Sequence, residues 1–344
     1  MDFETRLKRT RIAIVIVLCL VLLTVLGFYF YINSLLGQIQ HTELEPKQEE
    51  TEEDSFKYAD KDVMKDEDIQ NILLIGQDRR SGEERQRSDS MIICSINKKT
   101  GKITLVSLMR DMYVLIPGYQ SNRINTSYSL GGMNLLDETI EENFGVHIDG
   151  NVEIDFDGFI KAMTKVGNLD IHLKQEEADY INDELGYGKL KGGMNSMDAK
   201  QVLMYARTRY VGDGDYERTE RQRKVLTTAF DKLRKSNLRT IVRVAKGVIP
   251  YFTTDLTNRE LLGYVYTVLQ DDMKINRTTY RLPVDGAFSS QNINGMAVLV
   301  PDIEENKKAL VECLYGPEAV ETFLEGQGIQ DYNSQGSGNQ VTND

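Results

Sequence analysis

The chain has 344 residues, 40% of them hydrophobic, and a formal net charge of −12. An acidic chain does not gather on nucleic acid or on an anionic leaflet by bulk charge, so any phosphate it holds must sit on a local basic cluster. Three histidines and three scattered cysteines, with no CxxC pair, exclude a zinc-binding pattern and make histidine-dependent catalysis a poor reading.

Residues Ile12–Ile32 carry no charge over 21 positions. As a helix they span about 32 Å, enough for a hydrocarbon core. Arg6, Lys8, Arg9 and Arg11 precede this run, and no Lys or Arg follows until Lys47. The positive-inside rule then places residues 1–11 in the cytoplasm and everything after the anchor, 12–32, outside it. A cleaved signal peptide would have a shorter apolar run, so the segment reads as an uncleaved, single-pass cell-membrane anchor. Residues 34–68 hold twelve acids and four lysines. The stretch 33–67 is therefore predicted to be an extended, self-repelling extracytoplasmic stalk.

After Asp68 the pattern changes. Gln70–Gly76, Ser90–Ile96 and Lys102–Leu108 read as strands, the last two joined by a hairpin turn at Asn97–Gly101. Met133–Phe144 has helical spacing. Asn151–Phe156 and Asn168–Leu173 alternate as strands, with a helix between them. Met197–Tyr210 and Tyr216–Arg234 read as helices, Thr278–Val284 as a strand and Asp302–Tyr315 as a closing helix. Mixed strands and helices over 68–325 predict one α/β domain, a central sheet between helices. The Gly/Ser/Asn/Gln-rich tail, 326–344, is predicted to be disordered. Cys94 and Cys313 read as buried free thiols, with a disulfide as the alternative.

The chemistry-bearing residues cluster at predicted strand ends and helix starts. Asp78 and Arg80 follow the first strand, where ligands of α/β folds tend to bind. Arg87 and Asp89 open the second, and Arg110–Asp111 close the third. A hairpin returns the second and third strands to one edge, so Asp78, Asp89 and Arg110 are expected to converge. Arg207 and Arg209 end one helix. Asp213-Gly214-Asp215 forms a turn, and Arg218 and Gln222 lie one turn apart on the next helix, in line with Val225. Arginine grips phosphate with a two-pronged fork. This set suits a pyrophosphate with a divalent cation, Asp78 and Asp89 being its hard oxygen ligands. Arginine and metal would stabilise charge on a transferring phosphoryl group. Arg221, Arg223 and Lys224 are assigned to the solvent side of their helix.

In order and spacing, these segments resemble the LytR-CpsA-Psr family over nearly the whole chain. The motifs are Gly76-x-Asp78-x-Arg80, Arg87-Ser88-Asp89-Ser90, Arg110-Asp111, Arg123-Ile124-Asn125 with Tyr128 and Gly131-Gly132, Asp157-Gly158-Phe159, Tyr205-Ala206-Arg207-x-Arg209, Asp215-x-x-Arg218 and Arg221-Gln222. The resemblance implies an αβα sandwich that binds a polyprenyl-pyrophosphate lipid. It implies Mg²⁺ (or Mn²⁺) on the carboxylates of Asp78 and Asp89, and transfer of teichoic acid, capsule or a similar glycopolymer to the 6-hydroxyl of N-acetylmuramic acid in peptidoglycan. Arg80, Arg87, Arg110, Arg207, Arg209, Arg218 and Gln222 match the head-group contacts, and Asp78, Asp89 and Arg110 the catalytic set. Met109 departs from a usual Pro, Arg123 from a common Lys, and Tyr216-Glu217 from a usual Phe-Gly. The general base is open among Asp78, Asp89, Asp111, Asp213 and Asp215. A polyprenyl-pyrophosphate hydrolase and a non-catalytic lipid-binding regulator are the competing functions. A DNA-binding role has too little cytoplasmic chain.

Overall fold

The structure, a computed structural model, describes residues 34, 36–42, 63–77, 86–268, 274–276 and 280–326. The predicted anchor and nearly all of the tail lie outside the described residues, as do Asp78 and Arg80. The strands are β1 (Gln40–His41), β2 (Ile69–Gln77), β3 (Ser88–Asn97), β4 (Lys102–Leu108), β5 (Tyr113–Val114), β6 (Asn122–Arg123), β7 (Gly150–Asp155), β8 (Leu169–Leu173), β9 (Gly193–Met197), β10 (Thr253–Thr254), β11 (Lys274–Ile275), β12 (Tyr280–Leu282), β13 (Phe288–Ile293) and β14 (Met296–Pro301). The helices are α1 (Ile124–Phe144), α2 (Phe156–Val166), α3 (Gln175–Leu185), α4 (Ala199–Arg207), α5 (Gly214–Arg234), α6 (Leu238–Val248), α7 (Asn258–Val268), α8 (Ile303–Tyr315) and α9 (Pro317–Gly326).

Among the described residues the main sheet runs β1-β10-β7-β2-β3-β4-β11, and β12 also pairs with β4. It is mixed: β2–β3 and β3–β4 are antiparallel, whereas β2–β7 and β4–β12 are parallel. The alternation of β2, β3 and β4 sorts their side chains onto two faces. Leu73, Ile75, Met91, Ile93, Val106 and Leu108 bury one face under α1 and α8, against Leu136, Ile140, Phe144, Leu310 and Val311. Ile96 and Ile103 face the other side, where Phe230 of α5 and Tyr264 of α7 pack. A separate cluster joins β8 and β9 to α3, α4 and α5 through Ile171, Ile181, Val202, Tyr205 and Val225.

The predicted strands and the β3–β4 hairpin match the observed ones to within a few residues. Helix α1 starts nine residues before the predicted Met133, because Gly131 and Gly132 break its regularity without ending it. Gly132 has φ 68°, and a Cβ on Gly131 would lie 2.6 Å from that of Leu135, so this kink needs both glycines. The predicted stalk is corrected at both ends. Leu36 and Ile39 are buried, β1 pairs in parallel with β10, and Met64 bridges Val146. Cys94 and Cys313 are free and pack on opposite faces of the sheet, so they do not pair. Burial pushes both thiols up to about 12.

One half-buried acid pair joins α1 to the segment that follows β10. Asn151 donates its side-chain amide to Asp137 at 2.6 Å and to Asp255 at 2.7 Å. Burial pushes the Asp137 carboxyl well above its ordinary 3.8, and neighbouring Asp255 and Glu141 push the same way. An acid whose folded value is raised is held protonated by the fold, so stability falls as pH rises from 3.8 through the folded value. Asp137→Asn is expected to remove that slope and to raise stability at pH 8 by about 1–3 kcal/mol. Urea unfolding of both proteins at pH 5 and pH 8 checks this.

Candidate functional site

The end of β2, the start of β3, the end of β4 and the start of α2 share one sheet edge. Here the β2–β3 register slips: Gly76 pairs with Ser90, but Gln77 pairs with Ser88. Asp89 is the extra residue of this bulge, which turns it off the regular pleat. Arg110 Nη1 donates to Asp89 Oδ1 at 2.5 Å, and Arg209 Nη2 approaches the same oxygen at 3.7 Å. Arg218 Nη1 donates to the Asp89 backbone carbonyl at 3.0 Å, and Arg218 Nη2 to Asp215 Oδ2 at 2.8 Å.

Asp215 is the second centre of the cluster. Besides Arg218, it lies 3.7 Å from Arg110 Nε and 3.5 Å from Arg209 Nε. Asp111 is the third, 3.8 Å from Arg110 and 3.4 Å from Arg123. Four guanidinium groups thus share three carboxylates at this edge. Burial works against the charge of Arg110, but Asp215, Asp89 and Asp111 outweigh it and hold its pKa above the ordinary value. For Arg218 burial wins and lowers it, with Arg209 and Arg110 adding repulsion. The Nε atoms of Arg110, Arg123 and Arg218 are buried without a hydrogen-bond partner. Such donors are costly to leave unmade, and an anion entering the cluster would satisfy them.

Of the sequence-predicted residues, the structure brings together Asp89, Arg110, Arg209, Arg218 and Gln222. Gln222 accepts from Ser90 Oγ at 3.0 Å, which fixes α5 against β3. Arg87 is exposed, one residue before β3, and does not join the described ion pairs. The Arg207 guanidinium lies 4.1 Å over the ring of Phe156. Asp213 caps α5 by position, while Asp111 and Asp215, left open in the sequence, lie inside the cluster.

Arg221 and Arg223 do not face solvent. Arg221 donates to Glu177, Glu217 and the carbonyls of Thr208 and Val211. Arg223 donates to Ser107 Oγ of β4, and burial lowers its pKa to about 10. Helix α5 lies between the sheet and the β8–β9 layer, so two of its faces are inside, and a solvent face assigned from one apolar stripe was too wide. Lys224 does reach the surface, donating to the His172 carbonyl at 2.7 Å. Met109, where a Pro was expected, uses its N–H to donate to Leu282 O at 2.9 Å, a bond proline could not make. Beside the cluster, buried Glu153 accepts from Gln77 and from the Tyr128 hydroxyl.

Toward the hairpin end of β3 and β4, seven residues along each strand from Asp89 and Arg110 and so about 23 Å from the cluster, the apolar layer on the α5 side of the sheet is thinly covered. Phe230, Tyr264, Val268 and Ile275 are only partly buried over Ile96 and Ile103, and α7 has no fully buried residue. Ile241 and Val242 of α6 are half-buried, and Val265 and Tyr266 of α7 are exposed.

A family model described as the LytR_cpsA_psr family matches residues 28–312. The regulatory protein MsrR of Staphylococcus aureus (strain COL) is 30% identical over 250 residues, covering 71% of this chain and 74% of MsrR. The polyisoprenyl-teichoic acid–peptidoglycan teichoic acid transferase TagU of Oceanobacillus iheyensis is 32% identical over 225 residues, covering 63% of this chain and 67% of TagU. The solved structure of a LytR-CPS2A-psr family protein, YwtF (TagT), with bound octaprenyl pyrophosphate lipid superposes with a TM-score of 0.56. It is 22% identical and covers 72% of this chain and 91% of that one, a likeness of fold.

Proposed function

Because the chain belongs to the LytR-CpsA-Psr family, we propose that it transfers a glycopolymer from a polyprenyl-pyrophosphate carrier to peptidoglycan. The observation that carries this reading is the set of four guanidinium groups, three of them with buried Nε atoms that make no hydrogen bond, on the same sheet as an underfilled apolar layer about 23 Å away. A pyrophosphate with a long hydrocarbon tail matches both halves of that surface. TagU supports it, since its name states this reaction. So does the YwtF (TagT) structure, which has octaprenyl pyrophosphate lipid bound.

In the proposed reaction the acceptor's 6-hydroxyl oxygen attacks the phosphorus that carries the glycan. A P–O bond forms as the P–O bond to the polyprenyl phosphate breaks, and polyprenyl phosphate leaves. The hydroxyl proton passes to a carboxylate of the cluster. Arg110, Arg209 and Arg218 hold the pyrophosphate oxygens and stabilise their charge as it shifts to the leaving group. The tail lies between the sheet and α5–α7. Residues 12–32 anchor the chain, with the domain on the extracytoplasmic face.

The donor chemistry suits a hard divalent cation. Asp89 Oδ1 takes both arginines, and its Oδ2 joins none of the described ion pairs. Asp89, with Asp78, would hold Mg²⁺ or Mn²⁺. When bound, the ion would neutralise charge on the pyrophosphate.

The test is incubation of the full-length chain with Mg²⁺, a lipid-pyrophosphate glycan and peptidoglycan oligomer. A phosphodiester-linked product supports transfer. Free phosphorylated glycan alone supports hydrolysis, and tight lipid binding without turnover supports a regulator. Asp89→Asn is expected to lower turnover at least about tenfold and to raise the half-saturating Mg²⁺ concentration. An unchanged metal titration would remove Asp89 from the ligand set.

A further inference from the structure

The loop between α4 and α5 holds one side chain that the phosphate chemistry does not use. Thr208 is buried, its hydroxyl donating to Met204 O at 2.8 Å, and Val211 is buried too. Arg221, itself only 2% exposed, donates to Thr208 O at 3.0 Å and to Val211 O at 2.9 Å. The backbone is therefore clamped on both sides of Arg209 and Tyr210. Arg209 turns in to Asp89 and Asp215, and Tyr210 is 86% exposed. A large ring displayed on a clamped backbone is held for a contact, because the usual reason for exposure, a loose loop tip, is absent.

The ring has neighbours that extend it. Tyr180 of α3 lies beside it, centroids 6.0 Å apart and planes tilted by 44°. Arg207, the next outward residue of the segment, stacks on Phe156. Tyr180, Tyr210 and the Arg207–Phe156 pair make an aromatic rim with a cation in it, beginning one residue from the phosphate cluster. Tyrosine offers an apolar face and a polar edge. A pyranose has the same pairing, a C–H face ringed by hydroxyls.

We propose that Tyr210, with Tyr180, is the stacking platform for a sugar ring of the peptidoglycan acceptor; this rests on the transfer reading above. The acceptor, not the donor, fits for two reasons. The donor is held by its pyrophosphate on the inner arginines and by its tail on the α6–α7 side, whereas a wall strand is too large for a cleft and meets the protein on an open rim. Wall strands also carry carboxylates on their stem peptides, a charge that suits a rim with a guanidinium in it.

Full-length wild type, Tyr210→Ala and Tyr210→Phe are compared by titration calorimetry with a muramidase-released peptidoglycan tetrasaccharide, and by transfer kinetics. Tyr210→Ala is expected to weaken tetrasaccharide binding and raise the acceptor KM about tenfold, with kcat changed less than about twofold, while Tyr210→Phe stays near wild type. Equal binding by wild type and Tyr210→Ala, or a change in donor KM instead, overturns the platform even where transfer is intact. Tetrasaccharide binding lost in Tyr210→Ala supports the platform even in a chain that makes no transfer product, the result that would overturn the transfer reading.

Discussion

Arg110→Ala is expected to lower glycopolymer transfer roughly a hundred- to thousandfold, the range for removing one preorganised donor to developing charge. Arg110 touches all three carboxylates of the cluster, through Asp89, Asp111 and Asp215. Its loss removes a phosphate ligand and also leaves those acids repelling both one another and the incoming anion. Arg110→Lys is expected to recover little, since a point charge cannot reproduce a fork that spans two acids. Circular dichroism should show an unchanged fold, because the residue lies at the sheet edge and not under it. Full activity in Arg110→Ala would move the reaction to another site.

The largest loss of stability is expected from Arg221→Ala, about 3–5 kcal/mol, the range for breaking a buried ion pair from one side. Glu177, 4% exposed, would be left as a buried carboxylate, and the carbonyls of Thr208 and Val211 would lose their donors. The double variant Arg221→Leu with Glu177→Leu should recover much of the loss, since it leaves no stranded charge. Urea unfolding of the single and double variants measures this, and additive losses would show that the pair is not coupled. The same change frees the segment that carries Arg209, so transfer should fall further than stability alone explains.

The sequence made the sheet legible because β2, β3 and β4 are short, largely apolar runs bounded by turn residues, as strands covered on both faces require. The edge that gathers Asp89 and Arg110 followed from the hairpin alone. The bulge was not legible: an extra residue in a ladder has no composition of its own, and Asp89 read simply as the residue before a strand that begins at Ser90. Arg221 and Arg223 were misplaced for a related reason. A charge on a helix signals solvent only where one face is inside, and the layer that covers the second face, β8–β9 with α3, lies distant in sequence. Helices α6 and α7 and the β13–β14 hairpin gave no clear signal. Their apolar residues are plentiful, but those of α6 and α7 are for the most part only partly covered. The Met109 departure, by contrast, acquires a reason only in space, in the carbonyl of Leu282 that its N–H meets.

The pairing of β1 with β10 changes what the acidic stretch does mechanically. Its two ends, at Thr42 and at Met64, are both fastened to the domain. The separation of those two ends is therefore set by the domain and not by the length of chain that joins them. Only the few residues from Ile32 to Leu36 are left as tether from the proposed anchor, a reach of no more than about 14 Å. With the proposed anchor, the height of the arginine cluster above the membrane would follow from the docked β1 segment and not from the number of acidic residues after it.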